Sequence, residues 1–130
     1  MQKKSVIHLT ILGLLFLLSA IWLPGNRTYA APNAICYVKY DASGSNNGTS
    51  WADAYSGISG VQNALGNTGC TEIWVAAGQY LPTNGNTRTT TFQLKNNVAL
   101  YGGFAGTETL RSQRDIVVHE TILNGNIGNE

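Results

Sequence analysis

Charged side chains are scarce in this sequence, at 12% of 130 residues, and neither sign dominates. Beyond residue 30, five basic residues (Lys39, Arg88, Lys95, Arg111 and Arg114) face seven acidic ones, a net charge of −2. That balance excludes the basic footprint of a nucleic-acid binder and the polybasic patch that recognises anionic lipid. Histidine is nearly absent: His119 stands alone past residue 30, far along the chain from Cys36 and Cys70. No metal-ligand spacing results, so no metal is expected. Phosphate-binding patterns are missing too. Gly102-Gly103-Phe104-Ala105-Gly106 lacks G-x-G-x-x-G spacing, and no Gly-Lys-Ser/Thr follows it. No cofactor is expected on these grounds.

Long apolar runs occur once, from Val6 to Leu23, behind the basic start Lys3-Lys4 and ahead of small residues at Thr28 and Ala30. A basic start, an apolar stretch and a small-residue site predict a secretory signal over residues 1–30, cut after Ala30. The alternative is an uncut membrane anchor, since the stretch is about long enough to cross a bilayer. The 100 residues beyond make one small domain. Gly, Asn and Thr supply 13, 12 and 11 of them, a surface that is polar without being ionic. Thr suits strands, and Gly and Asn suit turns.

Only two cysteines are present, Cys36 and Cys70. In an exported chain an even count predicts a disulfide, and two buried thiols are the alternative.

Local patterns divide the chain at about residue 70. Cys36 to Tyr40 reads as a short strand, followed by a Gly/Ser/Asn loop. Ser50 and Asp53 have capping-box spacing. Trp51, Ala54, Tyr55, Ile58, Val61 and Leu65 then follow as one apolar stripe, which predicts an amphipathic helix weakened by Gly57 and Gly60. Past Cys70 strand patterns take over: TEIWVAAGQY, TFQLK, VALYGG, DIVV and TILNGNIG, with Asn96-Asn97 and His119-Glu120 as turns. Val75 and Leu100 are 25 apart, Leu100 and Leu123 are 23 apart, and Phe92 and Ile116 are 24 apart. A fixed period of this length marks a solenoid, and short strands without a helix inside the repeat predict a parallel β-helix. Gly78, Gly102 and Gly125 would be its corners, where a positive φ is needed.

Four segments in order, GTSWADAYSGISGVQNAL, EIWVAAGQYLPT, TFQLKNNVALYGGFAGTET and RSQRD with TILNGNIG, resemble the N-terminal part of exported bacterial right-handed parallel β-helix proteins with a pectate-lyase-like fold. The likeness covers nearly all of Cys36 to Gly128. It implies an all-β, right-handed parallel β-helix with an N-terminal strand and capping helix over 31–70 and the first coils over 71–130. Trp51, Tyr55, Ile58, Val61 and Leu65 would form the core of the capping helix and cover one open end. The other end would be met by further coils or by self-association. The chain looks like a truncated piece of such a protein, and it carries Asn124-Gly125-Asn126 where relatives carry an acidic residue.

Chemistry is harder to find. Arg114-Asp115 and Glu108 with Arg111 read as local salt bridges, and no paired carboxylates for hydrolysis stand out. No Ser or Thr has a paired histidine and carboxylate. His119 reads as an exposed turn residue, and Trp74, Tyr80 and Tyr101 read as packing residues unless they face outward and stack on sugar. The expected function is an exported cell-surface or secreted scaffold, adhesive or polysaccharide-binding, with no catalytic site. The alternative is the start of a polysaccharide lyase or hydrolase whose site lies in later coils.

Overall fold

A computed structural model describes residues 34–128. The expected signal or anchor over residues 1–30 lies outside them. Among the described residues five strands form: β1 (Ile35–Val38), β2 (Glu72–Ala76), β3 (Gly78–Tyr80), β4 (Ala99–Phe104) and β5 (Thr121–Leu123). One helix, α1 (Gly60–Gly66), and a 3-10 turn at Arg111–Gln113 complete the regular structure. One sheet has the order β1-β2-β4 and the other pairs β3 with β5, and every pairing is parallel.

The central strand β2 explains the core. Ile73, Trp74, Val75 and Ala76 are all buried, a continuous apolar run that only a strand covered on both faces can hold. On one face Cys36, Val38, Ile73 and Val75 meet Val61, Ala64 and Leu65 of α1, with Cys70 and Tyr80 beside them. On the other lies an aromatic cluster. Trp74 stacks on Phe104 with centroids 4.8 Å apart, Tyr37 meets Trp51 edge-on at 4.8 Å, and Trp51 lies 5.6 Å from Phe104. Such pairs add about 0.5–1.5 kcal/mol each beyond their buried area.

Cys36 and Cys70 form the expected disulfide, with Cα atoms 5.6 Å apart and a sequence separation of 34. It ties β1 to the entry of β2, where Thr71 N–H also donates to Ala34 C=O at 2.9 Å. Closing that loop contributes about 4 kcal/mol on the chain-entropy account.

The β-helix expectation is overturned. The described residues make two small parallel sheets with one helix, a small mixed α/β arrangement without coils. Val75, Leu100 and Leu123 do not share a column: Val75 pairs with Val38, Leu100 with Ile73, and Leu123 with Tyr80 in the other sheet. The strands expected at TFQLK and DIVV are missing because their backbone donors go elsewhere. Gln93 N–H donates to the Gln62 side chain at 3.0 Å. The Asp115 carboxylate accepts from Val117 and Val118 N–H, each at 3.0 Å, and folds that segment into a turn.

The helix is also shorter than its apolar stripe. Gly57 has φ +75°, a left-handed conformation that halts a right-handed helix. Before it, Tyr55 bridges Val38 in parallel, donating its N–H to Tyr37 C=O at 2.9 Å and accepting from Lys39 N–H at 3.1 Å. Trp51, Tyr55 and Ile58 therefore precede α1, and only Val61 and Leu65 sit on it. The Ser50–Asp53 pair does form, with Ser50 Oγ and Asp53 Oδ2 at 3.0 Å, but it closes a turn. Of the expected corner glycines, Gly78 has the positive φ, at +144°, while Gly102 and Gly125 do not. Gly103 has φ +90°, whereas Gly102 is required by close approach: a Cβ there would come 2.7 Å from Thr121 Cβ.

Candidate functional site

The acidic side chains are mostly occupied in holding the chain. Asp53 accepts from Ser45 N–H at 2.8 Å and from Ser50 Oγ–H, and the Ser45 backbone bond leads in holding its carboxyl below the usual aspartate value. Partial burial pushes Glu108 up, but the N–H groups of Ala105, Thr107, Glu108 and Gly106 together outweigh it and lower its carboxyl. Bonds from Val118 and Val117 N–H lower Asp115. Neither salt bridge expected for these two forms: Arg111 pairs with Glu72 at 3.2 Å, and Arg114 Nη1 donates to Gly102 C=O at 3.5 Å. His119 is half-buried and donates its backbone N–H to Asp115 C=O at 2.9 Å.

A groove of about 600 Å³ runs past the Glu72–Arg111 pair, with Trp74, Thr109, Leu110 and Arg114 on its walls. Glu72 Oε2 accepts from Trp74 Nε1–H at 2.9 Å. Arg111 Nη1 also donates to Tyr101 Oη at 2.9 Å, and its guanidinium lies 4.7 Å from the Tyr101 ring centre. Arg114 sits 5.3 Å from the same centre. Tyr101 is therefore covered by arginine, and Trp74 and Tyr80 are buried. Trp74 and Tyr80 therefore present no ring to a sugar, and the Tyr101 ring is already partnered by arginine. Burial pushes the Tyr80 hydroxyl up to about 12, and that hydroxyl donates to Ala76 C=O at 3.0 Å.

The second groove, of about 620 Å³, lies where β1 ends and β2 turns into β3. Ile58, Ala76, Ala77 and Ala105 supply an apolar lining, and Lys39, Tyr40, Asp41 and Gln79 supply the polar and aromatic groups. Tyr40 is 53% exposed, yet its backbone is clamped. Lys39 N–H donates to Tyr55 C=O at 3.1 Å, Gly57 N–H donates to Tyr40 C=O at 2.9 Å, and Ala42 N–H donates to Lys39 C=O at 3.2 Å. The Lys39 stem is positioned by Gly106, where a Cβ would lie 3.0 Å from Lys39 Cδ and Cε. Lys39 Nζ and Asp41 Oδ1 are 3.4 Å apart, an exposed and weak pair free to rearrange around a ligand.

Tyr40 was not among the residues that the sequence singled out. The one signal in the sequence was an aromatic residue closing the Cys36–Tyr40 strand pattern at the mouth of a Gly/Ser/Asn loop. Of the residues expected to form the capping-helix core, Ile58 alone reaches this groove. Among the described residues no three His, Cys, Asp or Glu side chains gather as a metal set. No known family matches this chain, and no curated protein or solved structure matches it either.

Proposed function

We propose that this chain is an exported, non-catalytic binding module, secreted or held at the cell surface, that takes a glycan in the Tyr40 groove. The observation that carries this reading is Tyr40 itself: a ring about half exposed, on a clamped backbone, beside Asp41, Gln79 and Lys39 and over an apolar lining. A pyranose offers one face of C–H groups and a rim of hydroxyls. An aromatic ring meets the first, and a carboxylate, an amide and an ammonium meet the second. A concave apolar surface with a few convergent polar groups is the usual form of a small-ligand site. The Cys36–Cys70 disulfide supports the exported address, since such bonds persist in oxidising compartments.

The carboxylates favour binding over catalysis. Four of the six described carboxylates, Asp53, Glu72, Glu108 and Asp115, each hold local structure, and Asp41 is the one carboxylate lining the Tyr40 groove, where hydrolysis would need two. The test is a glycan array read with the disulfide-intact protein, with Tyr40→Ala and Gln79→Ala as comparisons, run beside an assay for unsaturated-uronate release. Binding lost in Tyr40→Ala, with no product released, supports the reading. Binding that survives both substitutions, or release of product by the native chain, overturns it.

A further inference from the structure

The sequence contains three Asn-Gly pairs, Asn47–Gly48, Asn84–Gly85 and Asn124–Gly125. This dipeptide can modify itself. The glycine backbone nitrogen attacks the asparagine side-chain carbonyl carbon. A carbon–nitrogen bond forms to close a succinimide ring, the bond to the side-chain nitrogen breaks, and ammonia leaves with the proton from the glycine N–H. Water then opens the ring at either carbonyl, giving aspartate or isoaspartate. One water is consumed, one ammonia is released, and nothing is oxidised or reduced. The step requires a glycine N–H that can give up its proton and a backbone that can bend into the ring.

We propose that Asn84 and Asn124 are deamidation sites in the folded protein, and that the fold locks Asn47 against the same reaction. At Asn47 every participating group is engaged. Gly48 N–H donates to Asp53 C=O at 2.8 Å, and Asn47 N–H donates to the same oxygen at 2.9 Å. Asn47 Oδ1 accepts from Thr49 N–H at 3.0 Å and from Thr49 Oγ–H at 2.7 Å. Gly48 C=O accepts from Tyr37 N–H at 2.9 Å, and Gly48 is buried so tightly against Tyr55 that it has no room for a Cβ. Cyclisation there must wait for local opening of the loop between Asn47 and Asp53.

The other two pairs lack that lock. Asn84 and Gly85 are exposed, and Gly85 N–H donates to the Thr83 hydroxyl at 3.0 Å in an exposed position where water competes. Gly125 is exposed, with nothing within 4 Å of where its Cβ would be. Asn124 Oδ1 accepts from Asn126 N–H at 2.8 Å, the same side-chain bond that Asn47 makes to Thr49, so the difference between the two sites lies at the glycine. Asn124 also ends the β3–β5 pairing through its N–H to Tyr80 C=O at 2.8 Å. Conversion there places a new carboxylate, or an extra main-chain methylene, between that pairing and the buried Ile127.

The experiment is peptide mapping by mass spectrometry, with fragmentation that separates aspartate from isoaspartate, on folded disulfide-intact protein held at mildly alkaline pH. Peptides carrying Asn84 and Asn124 accumulate the exchange of NH2 for OH. The Asn47 peptide lags by at least about tenfold, because its reaction waits on local unfolding. Reduction and denaturation bring the three rates together. Gly85→Ala and Gly125→Ala each suppress conversion at the preceding residue and leave Asn47 unchanged. Conversion of Asn47 in the folded protein as fast as the other two, or conversion undiminished by either alanine, would overturn the proposal.

Discussion

Val75 and Val117 are the same side chain in two regions of one small molecule, one fully buried and the other 86% exposed. Val75 belongs to the part where strand, helix and disulfide converge, and its strand is covered on both faces. Val117 belongs to a region dominated by turns, where Leu94, Leu110, Ile116 and Val118 are exposed as well. Apolar residues are frequent in both, so composition does not separate them. Backbone hydrogen bonding does. Around β2 the backbone donors go to neighbouring strands, which brings side chains under cover. Between Thr107 and His119 many donors go to the side chains of Glu108, Gln113 and Asp115 within the same few residues. Local bonds of this kind satisfy the backbone without bringing a second layer over the apolar groups.

The sharpest way to break the comparison is to remove the staple. Replacing Cys36 and Cys70 by serine should lower stability by about 4 kcal/mol, seen as a large fall in the denaturation midpoint, while reducing agent should no longer change the midpoint of that variant. Leu65→Ala, in the covered region, should cost about 2–5 kcal/mol. Leu94→Ala, at a position 71% exposed, should stay within about 0.5 kcal/mol. Equal costs for the two leucines would erase the distinction drawn here.

The turn region should show itself through pH. Asp53, Glu108 and Asp115 all have lowered values in the folded chain, so the unfolded chain binds protons more readily. Their contribution is complete above the ordinary values of 3.8 for aspartate and 4.5 for glutamate and is lost as pH falls below them. Tyr80 acts at the other end. Its value is raised from 10.0 to about 12, so its contribution is complete below pH 10 and fades as pH climbs toward 12. Thermal midpoints across pH should be flat between these limits and fall outside them, and Asp115→Ala should shrink the acid fall. The smallest effect on stability is expected for Val117→Thr, which should leave the midpoint in place while lowering concentration-dependent association measured by sedimentation, since contiguous exposed apolar surface promotes contact between molecules.

Much of the regular structure was legible in the sequence. The cysteine pair, the strand at Cys36, the strands in EIWVA and ALYGG, the turn at Asn96-Asn97 and a short strand in TIL are all present. The errors share one cause: periodicity reports which side chains are apolar, not where backbone donors go. DIVV has strand composition, but Asp115 consumes the two N–H groups that a ladder needs. The apolar stripe from Trp51 to Leu65 matches a helix, but Gly57 interrupts it and Trp51 joins the aromatic face of the sheet instead. TEIWVAAGQY reads as one strand, yet β2 and β3 belong to different sheets. The Tyr40 groove was invisible for a related reason, because it is assembled from Lys39–Asp41, Ile58, the β2–β3 corner and Ala105, which no local window contains.

Hydrogen exchange of the native, disulfide-intact protein, read peptide by peptide, tests the central division most directly. The amides of β1, α1 and β2 should exchange only through global unfolding, while those of residues 84–97 and 107–118 should exchange orders of magnitude faster through local opening. Protection of residues 107–118 equal to that of β2 would contradict the account.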